Sequence, residues 1–135
     1  MRLTFLKIIV VFVLGGLSSA FASNAPLIDA ATLKAKLGQP GVVVLEIQPR
    51  QYYVQAHLPD STRTDYANWR NTDPNGVPEM LPGAAQLEQL IGRLGIDNGS
   101  EVIIVPIGQG PGEMAVATRI YWSLYIAGLN ELSIL

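Results

Sequence analysis

Residues 102–128 read V-I-I-V-P-I-G-Q-G-P-G-E-M-A-V-A-T-R-I-Y-W-S-L-Y-I-A-G. The run Val102–Val105 is β-branched throughout and predicts a short buried strand. Residues 106–112 include three glycines and two prolines and predict a loop. Apolar residues then recur at helical spacing from Glu113 to Ala127, and Gly128 is suited to a left-handed C-terminal cap. The stretch therefore predicts a strand, a glycine-rich turn and a helix in succession.

The turn and the helix that follows it together predict a binding site. In a parallel α/β sheet, ligands bind at the carboxyl ends of the strands, where the following helix presents free backbone N–H groups. The turn has no Ser, Thr, Lys, His or Arg, and the chain has no cysteine. We therefore expect this turn to lack a nucleophile of its own, and we assign no catalytic residue. The apolar stripe of the helix comprises Met114, Ala117, Tyr121, Leu124 and Tyr125.

Further segments have the pattern of an α/β domain. Asp29 is placed to cap a helix over residues 30–37, and residues 42–47 form an apolar run typical of a strand buried on both faces. Another helix is predicted to open at Pro82 and to end at Gly95. Its apolar face comprises Leu87, Leu90, Ile91 and Leu94. The remaining predicted elements are a short helix over residues 51–56 and a strand over residues 131–135 that ends exposed.

A long polar connection spans residues 62–82. Its strongest turn signal is Asp-Pro-Asn-Gly at residues 73–76, and Tyr66 and Trp69 are its predicted anchors. Loops of this length in compact domains are often functional. The alternative is a connector held in place by the two aromatic residues.

The N-terminus has the three parts of a secretory signal peptide. Arg2 and Lys7 supply positive charge, residues 8–17 are apolar, and Ala20-Phe21-Ala22 is a small-x-small cleavage site. We expect cleavage after Ala22 and export, with a bacterial periplasm as the destination. An uncleaved membrane anchor is the alternative, but the uninterrupted apolar run is short for a bilayer span.

Composition excludes several classes of function. Cleavage would remove two of the nine basic residues and none of the eleven acidic ones, which leaves a net charge of about −4. A nucleic-acid-binding surface needs the opposite balance, so nucleic acid is not an expected partner. With one histidine and no cysteine, the sequence has no metal-ligand pattern, and we predict neither a metal nor a cofactor. The absence of cysteine also means that burial alone must stabilise an exported fold.

Several motifs together resemble the rhodanese family of sulfurtransferases, in particular the amino-terminal domain of exported two-domain thiosulfate sulfurtransferases. The resemblance extends over residues 27–135 and implies a three-layer α/β domain with a central parallel sheet flanked by helices. Because the family continues beyond this point into a Gly-Gly turn, a helix and a second domain, we expect a domain over residues 23–135 that lacks its C-terminal end. The motifs are V-V-V-L-E-I-Q-P-R from Val42, Y-x-x-x-H-L-P from Tyr53, L-G-I-D-N from Leu94, A-T-R-I-Y-W from Ala117 and A-G-L-N-E-L-S-I-L from Ala127.

The chain departs from the family pattern at three places. The Asp-x-Arg that usually ends the first buried strand is replaced here by a segment with Glu46, Gln48 and Arg50. The family's Gly-His-Ile-Pro-Gly-Ala becomes A-H-L-P-D-S at residues 56–61, without either glycine. Active members also have a cysteine at the start of the loop after the central strand, near Pro106 or Ile107 here. That thiolate carries sulfur as a persulfide, so its absence removes the carrier.

A small set of residues remains as candidates for anion or interdomain contact. Arg119 lies on the long helix, where it would bind an anion, contact a second domain or solvate the helix surface. Arg63 and Asp65 are predicted to form an ion-pair cluster with Arg70 that faces a second domain. His57 is predicted to stabilise a turn by hydrogen bonding rather than to act as a base. The loop glycines Gly108, Gly110 and Gly112 resemble a phosphate cradle, but a P-loop has Lys and Ser or Thr where Glu113 follows here.

Two hypotheses from different classes follow. The first is a rhodanese-like domain of a thiosulfate sulfurtransferase that is catalytically silent on its own because it has no cysteine. Its partner would be a second rhodanese domain or another protein, and its ligand a small sulfur anion. The second is an exported non-enzymatic module that binds a small anion or a partner protein. The uncovered sheet edge and the aromatic group Tyr121, Trp122 and Tyr125 predict that the isolated chain is marginally stable or associates.

Overall fold

A computed structural model describes residues 25–135. The predicted signal peptide, with its cleavage site after Ala22, lies outside the described residues. Within residues 25–135, every helix is too short or too polar to span a bilayer.

The core of the domain is a sheet of four parallel strands. The strands are β1 (Val42–Glu46), β2 (Thr62–Arg63), β3 (Glu101–Val105) and β4 (Leu132–Ile134). Their order across the sheet is β2-β1-β3-β4, so the chain crosses over between neighbouring strands. The two central strands, β1 and β3, pair along their full length, and seven of their ten residues are buried because helices cover both faces.

Helices form the two outer layers. They are α1 (Ala30–Lys36), α2 (Arg50–Gln55), α3 (Ala84–Arg93) and α4 (Pro111–Ile126), with a 3₁₀ turn at Tyr66–Trp69. One face of the sheet packs with α3, α4 and the 3₁₀ turn around the fully buried Trp69. On the other face, Leu33 of α1 packs with Val44 and Ile103. The sequence-based expectation of a three-layer α/β domain is confirmed.

The predicted helix caps are also confirmed. The carboxylate of Asp29 accepts a hydrogen bond from the Thr32 N–H over 2.8 Å. Hydrogen bonding by the Thr32 side chain, together with this backbone bond, holds the pKa of the Asp29 carboxyl below its ordinary value. Gly95 and Gly128 follow the last turns of α3 and α4 with φ of 76° and 100°, a region in which a side chain is strained.

Two helix starts differ from the prediction. Helix α3 begins at Ala84 rather than Pro82, because the chain stays extended through Gly83. Helix α4 begins at Pro111 rather than Glu113, since proline suits the first helical position, where no intrahelical N–H bond is needed.

The predicted apolar stripe of α4 is wrong in part. Ala117 and Leu124 are fully buried as expected, and Ile120 joins them. Met114 and Tyr125 are instead 37% and 58% exposed. At 100° per residue, those two positions lie roughly a quarter turn or more away from the buried line. The predicted stripe therefore includes residues that face solvent.

The last strand was expected to leave an open sheet edge, and the structure corrects this. Residues preceding α1 lie alongside β4, where the Ile28 N–H donates to the Ile134 carbonyl over 2.9 Å. The Ile134 N–H in turn donates to the Pro26 carbonyl over 2.9 Å. The side chains of β4 are buried. This pairing satisfies backbone groups that would otherwise be exposed, so β4 offers little edge for another chain.

Candidate functional site

The carboxyl ends of β1 and β3 meet at a small cavity of about 180 Å³. Its walls are mostly apolar, and the loop after β3 forms one side of it. It is lined by Ile47, Pro49, Tyr66, Pro106, Ile107, Glu113 and Val116. This is where a ligand is expected in a parallel α/β sheet, and it includes both positions at which a family cysteine would fall.

The loop leading into α4 already donates a backbone hydrogen bond to a carboxylate of the same chain. The Gln109 N–H donates to the Glu113 carboxylate over 2.7 Å. Pro111 has no N–H to offer, and Gly108 takes a left-handed φ of 81°. The predicted cradle residues Gly108, Gly110 and Gly112 alternate along this loop and the start of α4, with open space where a Cβ would be. The first turn thus holds a negative charge of its own, as favoured by the helix dipole.

A buried carboxylate lies at the end of β1, and alternation along the strand places it on the opposite face of the sheet from Ile47 of the cavity. Glu46 is only 5% exposed. Its Oε1 accepts from the Leu58 N–H over 2.8 Å and from the Ser61 hydroxyl over 2.5 Å, while its Oε2 accepts from Gln48 Nε2 over 2.5 Å. These bonds tie the segment after α2 to the sheet. From the sequence, Glu46 is identified only as a departure from the family pattern. A single acidic residue at the end of an apolar strand is nevertheless a sign that the carboxylate accepts hydrogen bonds inside the fold.

Arg63 and Asp65 are brought together as predicted. Arg63 donates through Nη1 to Asp65 over 3.0 Å, and a second contact joins its Nη2 to the same carboxylate. Its Nε donates to the Gln48 carbonyl over 2.8 Å. Because Gln48 is the second residue after β1, these bonds fix the ends of β1 and β2 to each other. The Asp65 side chain is 54% exposed and remains open to solvent.

Arg70 does not join that cluster, contrary to the prediction. It pairs with Glu79 across the long connection over 2.6 Å and stacks on the Tyr66 ring at 4.7 Å. The hydrogen bond with Glu79 raises the pKa of Arg70 above its ordinary value. The reason is local: the connection folds back on itself where Asn71 pairs with Met80, which places Arg70 opposite Glu79.

Arg119 contacts the long connection. Its Nη2 donates to the Glu79 carbonyl over 2.8 Å, and its guanidinium lies 4.9 Å from the centre of the Trp122 ring. Its Nε is buried without a hydrogen-bond partner. These contacts hold Arg119 between α4 and the connection.

His57 has the turn-stabilising contacts that were predicted. Its Nδ1 lies 2.9 Å from the Tyr53 carbonyl, and its ring stacks on the Tyr53 ring at 4.3 Å. Among residues 25–135 there is no group of three or more side chains able to hold a metal ion.

Comparisons with known proteins agree with this architecture. A thiosulfate sulfurtransferase from Azotobacter vinelandii is 30% identical over 108 residues, which cover 80% of this chain and 38% of the relative. A thiosulfate sulfurtransferase from Pseudomonas aeruginosa is 27% identical over 110 residues, covering 82% of this chain and 39% of the relative. No family model matches the chain.

A solved structure has a similar fold. The crystal structure of a 3-mercaptopyruvate sulfotransferase from Escherichia coli, described as having the rhodanese fold, superimposes with a TM-score of 0.63 at 10% identity. The match covers 82% of this chain and 40% of that protein. The chain belongs to the rhodanese-like family. This rhodanese-like domain spans about two fifths of the length of each of these relatives.

Proposed function

We propose that this rhodanese-like domain is part of a sulfane-sulfur transfer system in which it does not carry the sulfur itself. The observation behind the proposal is the loop after β3, where the positions at the cavity are Pro106 and Ile107 and no cysteine exists anywhere in the chain. The Glu113 carboxylate, which accepts the Gln109 N–H, adds a negative charge that opposes an anionic donor.

The chemistry makes the missing thiol decisive. A thiolate attacks the sulfane sulfur of thiosulfate, the S–S bond breaks, sulfite leaves and a persulfide remains. Cyanide then removes the outer sulfur as thiocyanate and regenerates the thiolate. Neither half of this cycle has a carrier in a chain without cysteine. A thiosulfate-like anion would have to be processed by a cysteine on a partner.

The surface of α4 supports contact with such a partner. None of the exposed residues of this sixteen-residue helix is charged. Its charged residues, Glu113 and Arg119, are both partly buried and hydrogen-bonded within the chain. The exposed set includes Met114, Trp122, Tyr125 and Ile126. Exposed aromatic and methionine side chains on a face without an exposed charged residue are typical of protein interfaces, so we assign the partner contact to this face.

Restoring a thiol at the cavity tests the site. Ile107→Cys combined with Glu113→Gln is expected to take up one sulfur atom from thiosulfate, detected by mass spectrometry, and to release it to cyanide as thiocyanate. The matched control is Ile126→Cys combined with Glu113→Gln, which places the same thiol on an exposed isoleucine at the far end of α4. Because the loop and the helix N-terminus favour the thiolate, loading should be about tenfold faster than in the control. Equal loading rates would contradict a sulfur-transfer site at this loop.

The α4 face makes a separate prediction. The purified chain is expected to self-associate as its concentration rises, because no partner covers the helix, and Trp122→Glu should shift it toward monomer. Sedimentation velocity across a concentration series measures this. Tyr52→Glu is the control, since Tyr52 of α2 is similarly exposed, at 47% against 43% for Trp122. A monomer at every concentration, or equal effects of both variants, would contradict the assignment of the partner contact to the exposed face of α4.

The second hypothesis, a non-enzymatic module that binds a partner protein, rests on the same uncharged face of α4. It would be favoured if the face associates as expected while the cysteine variant fails to load sulfur.

A further inference from the structure

A large depression in the domain lies far from the glycine loop. It is a groove of about 680 Å³ between α3 and the C-terminal end of α4. The residues that close it at one end, Ile96 to Asn98 and Leu129, lie just before β3 and β4. The groove is therefore at the amino-terminal edge of these strands, the opposite end of the sheet from the cavity at the end of β1.

The floor and walls of the groove are apolar. Leu87 and Ile91 of α3 line one side, and Ile126 and Leu129 line the other. Ile126 is 50% exposed, although the other three are at most 9% exposed. A volume of this size falls within the range of small-molecule sites, which are mostly apolar with a few fixed polar groups. The groove could bury the hydrocarbon body of a small ligand.

The charge at the rim has a single sign. The charged residues that line the groove are Glu88 and Asp97, and neither Lys nor Arg is among its lining residues. The Asp97 carboxylate is fixed in place because its Oδ1 accepts from the Gly99 N–H over 2.8 Å and from the Ser100 hydroxyl over 3.1 Å. Arg93, also on α3, lines a different depression beside the long connection.

The end of α4 adds to the negative potential. Ile126 and Ala127, at the C-terminus of this helix, line the groove. Backbone carbonyls at a helix C-terminus carry partial negative charge, and the last turn of α4 has no basic residue to offset it. Two carboxylates and a helix C-terminus thus border an apolar cleft.

We infer that this groove binds a small amphipathic cation, with its apolar body between Leu87 and Ile126 and its protonated amine near Glu88 and Asp97. Charge complementarity selects a cation over an anion, and the apolar walls of the groove select an organic cation over a metal ion. This site is separate from the proposed sulfur-transfer site, because it uses none of the residues around the β3 loop; it shares only Ile126 with the exposed face of α4.

Three probes with one hydrocarbon body test the inference: phenylbutylamine, phenylbutanol and phenylbutyrate. Each is titrated into the isotope-labelled chain, and backbone amide shifts are followed by NMR. Only the amine is expected to give saturable shifts, and these should centre on Gly92, Asp97 and Ala127. Glu88→Gln should weaken amine binding about threefold, the size expected for one exposed charge pair. Asp60→Asn is the control, since it removes one negative charge in the turn after α2 and should leave binding unchanged.

Several outcomes would overturn the inference. Equal binding of the amine and the alcohol would show that charge does not select the ligand. Binding of phenylbutyrate as strong as that of the amine would contradict the sign of the potential. Shifts centred outside the groove, no saturable shifts with any probe, or equal weakening by Glu88→Gln and Asp60→Asn would each remove the site.

Discussion

Trp69→Ala is expected to lower the free energy of unfolding by about 3 to 5 kcal/mol, the range for truncating a large buried aromatic residue. Trp69 is 0% exposed and lies in the main apolar cluster. Its Nε1 donates to the Thr64 hydroxyl over 2.9 Å, so the alanine variant also leaves a buried hydroxyl without its donor. Because small domains have only about 5 to 15 kcal/mol of stability, this variant should be largely unfolded on mild heating.

Urea denaturation followed by far-UV circular dichroism measures the effect. Trp122→Ala is the matched control, since it removes the same side chain from the surface, where 43% of it is exposed, and should cost less than about 1 kcal/mol. Trp69→Phe should fall between the two, because it keeps most of the apolar volume and loses the hydrogen bond. Equal midpoints for Trp69→Ala and Trp122→Ala would contradict the packing described for the long connection.

Glu46→Ala is expected to destabilise the domain by about 3 kcal/mol, because three partly buried donors would lose a buried acceptor together. The Leu58 N–H, the Ser61 hydroxyl and Gln48 Nε2 all donate to this carboxylate. Differential scanning calorimetry should show a lower melting temperature. The segment after α2, which these bonds hold against β1, should also exchange its amide hydrogens faster.

Two variants separate the buried site from an ordinary carboxylate. Glu113→Ala removes a carboxylate that accepts one backbone N–H at a more exposed position, and should cost only about 1 kcal/mol. Glu46→Gln keeps one acceptor oxygen but turns an amide donor toward other donors, so it should still be clearly destabilising. A Glu46→Gln protein as stable as the native chain would show that the charge at this position is not needed.

The features that follow from local sequence were predictable. Asp29 caps α1, Gly95 and Gly128 end their helices, and the run Val102–Val105 forms the central strand with a glycine loop after it. Each of these depends on residues within a turn or a strand, where backbone geometry and side-chain type act directly. The rhodanese-like motifs added the order of these elements, and the four-stranded parallel sheet agrees with that expectation.

The predictions that were wrong concern contacts between distant parts of the chain. Spacing along α4 identified apolar residues, but the helix packs on the sheet along Ala117, Ile120 and Leu124, which leaves Tyr125 exposed. Arg70 was grouped with Arg63 by sequence distance, whereas the fold-back of the long connection gives it Glu79. The pairing of residues 26–28 along β4 had no local signal at all.

In the candidate site, too, the features set by local sequence were predictable and those set by contacts between side chains and backbone were not. Sequence indicated the loop after β3, its glycines and the missing cysteine. The bond from the Gln109 N–H to Glu113 and the donors around Glu46 required the structure, because they join groups whose geometry no spacing rule gives. The Glu113 carboxylate bears on the central claim, since it places a fixed negative charge at the loop where an active relative would hold sulfur.

The central claim is that this chain cannot carry sulfur by itself, and thiocyanate formation from thiosulfate and cyanide tests it most directly. The assay uses the purified chain of residues 23–135, with the Azotobacter vinelandii thiosulfate sulfurtransferase as the positive control. We expect thiocyanate at the rate of the protein-free background, because no thiolate is present to form the persulfide. Turnover above that background, proportional to the concentration of the purified chain, would contradict the account.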